Sequence, residues 1–333
     1  MVFVEFIRKS SVFLISCFFL LCHFDALAER ERAWPIFAAQ ISDSVLEYCQ
    51  IERCDLNLID KALLEQLFEV HPNKEDVFDS LTLSEYELLV SSAVKINKAA
   101  SQTLVLEMTT SWRGVPIDDF NVETTIDSSL TETAATVINR WVNRAQSEDV
   151  FDAKRIYDMV GASDYSQHLQ LPEKIGEFVL IETALYHDPM LGSISRYKHP
   201  KFADAVVDVS VYPISPFVHP KSKFAPLQSE MEIEKSHIST LIEQAKLDDY
   251  YISDIQSARF TSALGNVDGL SLEVALQTKI DPVYSTQFLF TQNDKFIKLT
   301  GNVPKHMMLA LVQESIGQIR VPHESSFMQS MRH

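Results

Sequence analysis

The stretch "LSLEVALQT" constrains this chain more than any other. Leu270, Leu272, Val274 and Leu276 alternate with small or polar residues, the period of a strand with one covered face. Its neighbours read the same way. "YYISDIQSARFTS" precedes it, "YSTQFLFTQ" follows, and "QND" at Gln292 to Asp294 turns the chain into "KFIKLTGNVP". Upstream, "EFVLIETALY", "GSISRY" and "DAVVDVSVYPI" are strands, with Val207, Val209 and Val211 sharing a face. "FVHPKSKFAPLQ" is a proline-marked loop. Two helices punctuate the strands. "SEMEIEKSHISTLIEQAKL" turns Ile238, Leu241, Ile242 and Ala245 inward. A last helix starts at Pro304, presents Met308, Leu311, Val312, Ile316 and Ile319, and ends at Pro322. The order β-β-β-α-β-β-β-α predicts an antiparallel sheet with helices on one face.

The first half has a different rhythm. "SDSVLEYC", "DLNLIDKALLEQLFEV" and "TLSEYELLVSSAVKIN" each open on a Ser, Thr or Asp cap and carry apolar residues at three- and four-residue spacing, which predicts helices. His71-Pro72-Asn73 marks a break between them. "TLVLEMTTSW" alternates, "RGVPIDD" reads as a turn and "FNVETTI" as the returning strand. "SSLTETAATVINRWVNRAQS" carries a capping box, Ser129 with Glu132, ahead of a stripe of Leu130, Ala134, Val137, Ile138, Trp141 and Val142. The fold class expected is α+β: a mainly helical N-terminal domain with a short β-hairpin, then the antiparallel sheet. The expected divisions are a signal peptide at 1–28, the helical domain at 29–168, the sheet domain at 169–323 and a flexible tail at 324–333.

Arg8 and Lys9, the apolar run Val12 to Leu21 and the small-residue exit "DALA" form a secretory signal pattern, with cleavage expected after Ala28. The apolar run is about half the length that spans a bilayer. A membrane anchor, or a lipoprotein cut at Cys17, are the alternatives. About 305 residues then remain, enough for two domains, and none of their apolar runs approaches a transmembrane length. A net charge of −17 argues against nucleic acid and anionic lipid as partners. Cys49 and Cys54 form an even pair bound for an oxidising compartment. On one continuous helix, residues five apart sit roughly 8 Å from each other and diverge. A disulfide therefore needs a turn at "QIER", which would let it join two helices. Zinc is the alternative, but no Cys-x2-Cys or His-x3-His supplies further ligands.

In this order of elements the second half resembles the α/β sandwich of the PsbP, Mog1 and DcrB-like proteins. It is also similar to a module of uncharacterised exported bacterial proteins. The matching residues are Leu171, Pro172, Ile175, Gly176, Leu191, Gly192, Tyr197, Val211 and Tyr212, with Phe296, Lys298 and Leu299 in the final hairpin. At Glu177 the chain departs from the module's second glycine. The resemblance covers Leu171 to Pro322. It implies a fold and an envelope location and carries over no catalytic residue.

Among candidate chemistries, "YHDPMLGSISRYKHP" holds His187, Asp188 and His199, ligand types that suit zinc or another transition ion. Asp188-Pro189 and Gly192 are equally ordinary turn residues, and "GSISRY" is a strand that would hold the histidines at opposite ends. "GASDYSQH" contains Ser163, Asp164, Ser166 and His168, which read as a helix cap in a connector rather than a triad. No nucleophile elbow, Ser-x-x-Lys, His-Glu-x-x-His or P-loop is present. Asp118-Asp119, Asp248-Asp249, Glu230 and Glu232 read as solvated surface in so acidic a chain, and Trp34, Trp112 and Trp141 as core. The expectation is an exported, periplasmic or secreted, non-enzymatic binding or envelope-assembly protein. Its ligand or protein partner is unknown, and no cofactor or metal is called for. The alternative is a secreted hydrolase whose site is built from dispersed residues.

Overall fold

The computed structural model describes residues 36–37, 42–52, 54–59, 62–63, 86–98, 101–216, 224–262, 265–277 and 282–332. The expected signal peptide and its cleavage point, the His71-Pro72-Asn73 break and Trp34 lie outside them. The chain divides into two compact units, Ala28–Val160 and Gly161–His333.

In the first unit, β1 (Ile36–Phe37), β2 (Asp55–Leu58), β3 (Tyr86–Asn97), β4 (Gln102–Trp112) and β5 (Val115–Thr125) form one sheet. Its centre is the antiparallel meander β3-β4-β5, while β1 runs parallel to β3 and β2 antiparallel to it. This corrects two expectations. "TLSEYELLVSSAVKIN" contributes a twelve-residue strand rather than a helix, and Asp55–Leu58 is strand rather than a helix start. The reason is that both faces of β3 are covered. Tyr86, Leu88, Val90 and, past a bulge between Val90 and Ser92, Ala93 face one core. Val94 and Ile96 face another, beneath Val45 and Cys49 of α1 (Asp43–Glu52). Apolar residues on both faces, shifted by a bulge, imitate helical spacing. The sheet, not a short hairpin, therefore organises the described part of this unit. Helix α2 (Leu130–Ser147) lays Ala134, Val137, Ile138, Trp141 and Val142 on Leu104, Leu106 and Met108. Its expected capping box is present: Glu132 N donates to Ser129 Oγ at 3.1 Å and Ser129 N to Glu132 Oε2 at 3.3 Å. Helix α3 (Ala153–Val160) closes the unit.

The second unit opens with a short helix, α4 (Tyr165–His168). Strands β6 (Lys174–Ile175), β7 (Phe178–Leu185), β8 (Ser193–Lys198) and β9 (Val206–Pro213) then lead into helix α5 (Ala225–Gln244). Strands β10 (Tyr250–Ile252), β11 (Gln256–Ser262), β12 (Gly265–Gln277), β13 (Pro282–Gln292) and β14 (Lys295–Gly301) lead into helix α6 (Lys305–Ser315). All pair antiparallel, in the order β10-β12-β13-β14-β9-β8-β7-β6, with β11 also on β12.

The two long helices lie on opposite faces, which corrects the expectation of one covered face. Leu227, Met231, Ile238 and Ile242 of α5 pack on Leu270, Leu272, Val274, Leu276, Leu289 and Phe296. Ala245, expected inward, is exposed. On the other face, Met308 of α6 closes on Gly301 and Val207, and Thr286 Oγ1 donates to Val303 O at 2.8 Å just ahead of α6. The sign in the sequence was the unbroken apolar run Phe288-Leu289-Phe290, all at most 1% exposed. Unbroken runs mark strands buried on both sides.

The residues expected as a flexible tail instead form helix α7 (Ser326–Arg332). Met328 is fully buried, Phe327 N donates to Gly161 O at 3.1 Å, and Arg332 donates to Ile214 O at 3.0 Å. Gly192 has φ +66°, and a Cβ there would run into the Val211 carbonyl and sit 2.7 Å from Tyr212 Cα. Replacing Gly192 with Ala should cost roughly 2–4 kcal/mol, because the close approach comes from backbone and cannot relax. Ser129→Ala should cost about 1 kcal/mol through the lost cap. Equilibrium urea unfolding checks both.

Candidate functional site

The residues singled out in the sequence are dispersed. Asp188 shapes the β7–β8 loop, its Oδ1 accepting from Met190 N at 2.8 Å, while Tyr186 N donates to Gly192 O at 3.0 Å to close that loop. His187 lies in this loop. His199 lies beyond the other end of the hairpin, where Val179 pairs with Lys198. At about 3.3 Å per residue the two histidines stand on the order of 20 Å apart. His199 is engaged at both nitrogens, Nδ1 accepting from Lys201 N at 3.1 Å and Nε2 lying 3.0 Å from Glu177 Oε2. Glu177 is the residue that departs from the module's glycine. Among the described residues no group of three His, Cys, Asp or Glu is placed to hold a metal.

Asp164 caps α4, accepting from Gln167 N at 3.0 Å. Trp112 and Trp141 are core. Cys49 and Cys54 form a disulfide, their Cα atoms 5.1 Å apart. The chain turns after α1 and Cys54 N donates to Cys49 O at 3.3 Å, so the bridge joins a helix to strand β2 rather than two helices. The carboxylate pairs split. Asp248 and Asp249 are exposed, but Asp118 points inward to Arg144, with Arg155 at 4.0 Å. Burial raises the Asp118 pKa, and the two arginines hold it back. Glu232 is exposed, while Glu230 turns in to accept from the Tyr212 hydroxyl at 2.8 Å.

That last contact belongs to a polar cluster the sequence did not reveal. On the α5 side of the sheet, Lys298 donates to Glu234 at 2.5 Å and lies over the Tyr212 ring. One strand further, Arg196 makes two bonds to Asp208, at 2.9 and 3.0 Å. Burial alone would lower the Lys298 pKa, but Glu234 and Glu230 outweigh it and the pKa is raised. The bond to Asp208 raises that of Arg196. Burial, then Glu230, raises that of Tyr212. Every one of these shifts moves away from neutral pH, so these groups keep their ordinary charge states and none is poised as a general acid or base. Lysine 298 stands at an alternating position of "KFIKLT", which was the available signal.

The opposite face carries an open groove of about 340 Å³ at the β7 edge. Leu180, Thr183 and Leu185 of β7 form its floor, and Tyr165, Ser166, Leu169 and Leu171 its wall. Register explains the floor. A bulge between Leu180 and Glu182 puts Leu180, Thr183 and Leu185 on the face of Tyr197, Ser195 and Ser193. Tyr197, fully buried, donates to Pro172 O at 2.8 Å and so ties the segment that forms the wall to β8. None of the described lining residues is charged. The sequence hid this site, because its residues read as a connector and an ordinary strand.

No family model matches the chain, and no curated protein matches it. Among solved structures, it is similar to the solution structure of cyanobacterial PsbP (CyanoP) from Synechocystis sp. PCC 6803, at 10% identity and a TM-score of 0.29. The match covers 46% of this chain and 92% of that one. So loose a likeness carries no residue role across.

Two outcomes follow from the polar cluster. Glu234→Ala leaves Lys298 buried without its partner and should cost about 3 kcal/mol, measured by urea unfolding, with the Glu234→Leu/Lys298→Met pair restoring most of it. The raised Tyr212 pKa contributes stability that is complete below 10.0, the ordinary tyrosine value, and is lost as pH rises above it, because the unfolded chain ionises first. Tyr212→Phe should therefore flatten the alkaline limb of a melting-temperature profile.

Proposed function

We propose that this is an exported protein that acts by binding, or by envelope assembly, rather than by catalysis, and that the groove at the β7 edge is its binding surface. The observation that carries the reading is the open concavity at the β7 edge, set beside ionisable groups that are buried in pairs. The buried charges of the second unit are held in pairs, Lys298 with Glu234 and Arg196 with Asp208 on the α5 side and Lys295 with Asp294 on the other. The β7 edge presents an open concavity, with no charged residue among its described lining, in the size range of small-molecule sites. A nucleophile would need a base within hydrogen-bond reach, and the Thr183 hydroxyl at the groove is bonded to that of buried Ser195 at 2.8 Å. The Cys49–Cys54 disulfide supports an oxidising location. Among the described residues no helix is long and apolar enough to cross a membrane.

Affinity capture with the purified mature chain from the envelope fraction of the source cell should recover a stoichiometric partner or co-purify a small molecule. Screening the same preparation against ester, peptide, phosphate and glycan substrates, with and without chelator, should give no turnover. Sustained turnover would overturn the reading in favour of a hydrolase.

A further inference from the structure

We infer that the sheet of the second unit has a docking edge at β10, which takes an extended, basic segment of a partner protein as one further strand. β10 and β11 lie end to end on the side of β12 that faces away from β13, and so form the outer edge of the sheet. Gln277 N donates to Asp249 O and Ser253 N to Glu273 O, each at 2.9 Å. Backbone groups alternate in direction along such a strand, so Tyr250 and Ile252 turn their N–H and C=O outward, where no described residue meets them. The β11 part of the edge is guarded from α6. Gln313 donates to Thr261 O at 2.8 Å, and Lys305 to the Gln256 side chain at 2.6 Å. Among the described residues β10 has no such guard, and an unguarded edge is a template for another strand.

The side chains specify the partner. Tyr250 pairs with Leu276 and Tyr251 with Ala275, so one ring stands on each face of the edge. The two tyrosines are 48% and 56% exposed, and rings so placed can cover aliphatic stems and attract cations. Between Glu243 and Asp254 the chain carries four carboxylates, Glu243, Asp248, Asp249 and Asp254, against the single cation Lys246. Asp248 and Asp249 are exposed without a described ion-pair partner, and Asp254 lies 3.6 Å from Lys235. Register also decides between a second copy and a different chain. Two β10 edges paired antiparallel about Tyr251 would set Asp248 of each copy beside Asp254 of the other, and like charges so opposed destabilise a strand pair. A strand with lysine or arginine at those two places meets a carboxylate at each. The edge therefore fits a basic partner and resists its own copy.

The test titrates the full mature chain, by calorimetry at low salt, with three acetylated and amidated heptapeptides. The first is Lys-Val-Thr-Val-Thr-Val-Lys, the second has glutamate for both lysines, and the third has proline for both threonines. Antiparallel addition sets the lysines opposite Asp248 and Asp254 and the threonines opposite Tyr250 and Ile252. The first peptide should bind at least about tenfold tighter than either of the others, and added salt should weaken it. Asp248→Lys/Asp254→Lys, both on exposed side chains, should reverse the preference between the lysine and glutamate peptides with an unchanged melting temperature. Tyr250→Pro removes an outward N–H without touching the bonds to β12, and should weaken the first peptide about threefold or more. Equal binding of the lysine and proline peptides overturns strand addition, and equal binding of the lysine and glutamate peptides overturns the basic class. Binding that ignores both variants, or no binding by any peptide, overturns the inference. So does a stable dimer in sedimentation that Tyr250→Pro abolishes, which would make a second copy the occupant. The groove at β7 is read separately, by the capture and turnover assays.

Discussion

The second unit depends on one pairing, β9 with β14. Val207 to Pro213 run antiparallel against Lys295 to Gly301 in continuous register, joining strands separated by α5 and four further strands. On either side lie sets of sequence-local hairpins, β6 to β9 and β11 to β14, and neither has a two-sided core without the other. Closing so long a loop costs entropy before it returns contacts, so this pairing should form late in folding and hold only when both faces are covered. Met308 on Gly301 and Val207 is where α6 secures it.

The same central strands explain where polarity is tolerated. Lys298 and Tyr212 stand on β14 and β9 on the α5 side, and α5 answers them with Glu230 and Glu234, one helical turn apart. Buried charge of this kind contributes little net stability when paired and is costly when broken. Its effect is to fix how α5 sits on the sheet. At the β7 edge, on the other face, none of the described residues that line the concavity is charged.

Much of the second unit was legible in the sequence. The alternation of "LSLEVALQT", the turn at Gln292 to Asp294, and Gly192 as re-entry to the sheet all appear where local chemistry places them. Asn293, for instance, takes φ +55° in that turn. The first unit was less legible because β3 is covered on both faces and bulged, so its strand period was masked. The site was hardest of all. Leu180, Thr183 and Leu185 share a face only because of a bulge, and bulges leave no reliable mark in sequence.

The sequence by itself determined the order of the long strands β7, β8, β9, β12, β13 and β14 and of α5 and α6, the α2 cap at Ser129 and Glu132, the pairing partners Cys49 and Cys54, and the turn character of His187 to Gly192. These are local facts, set by period, capping and backbone freedom within a few residues. Only the tertiary structure decided that α5 and α6 cover opposite faces, that the tail docks as a helix through Met328 and Arg332, and that a connector and β7 line one open groove. Each of those depends on residues far apart in the chain meeting across a sheet, and a one-residue change of register would send every such side chain to the other face.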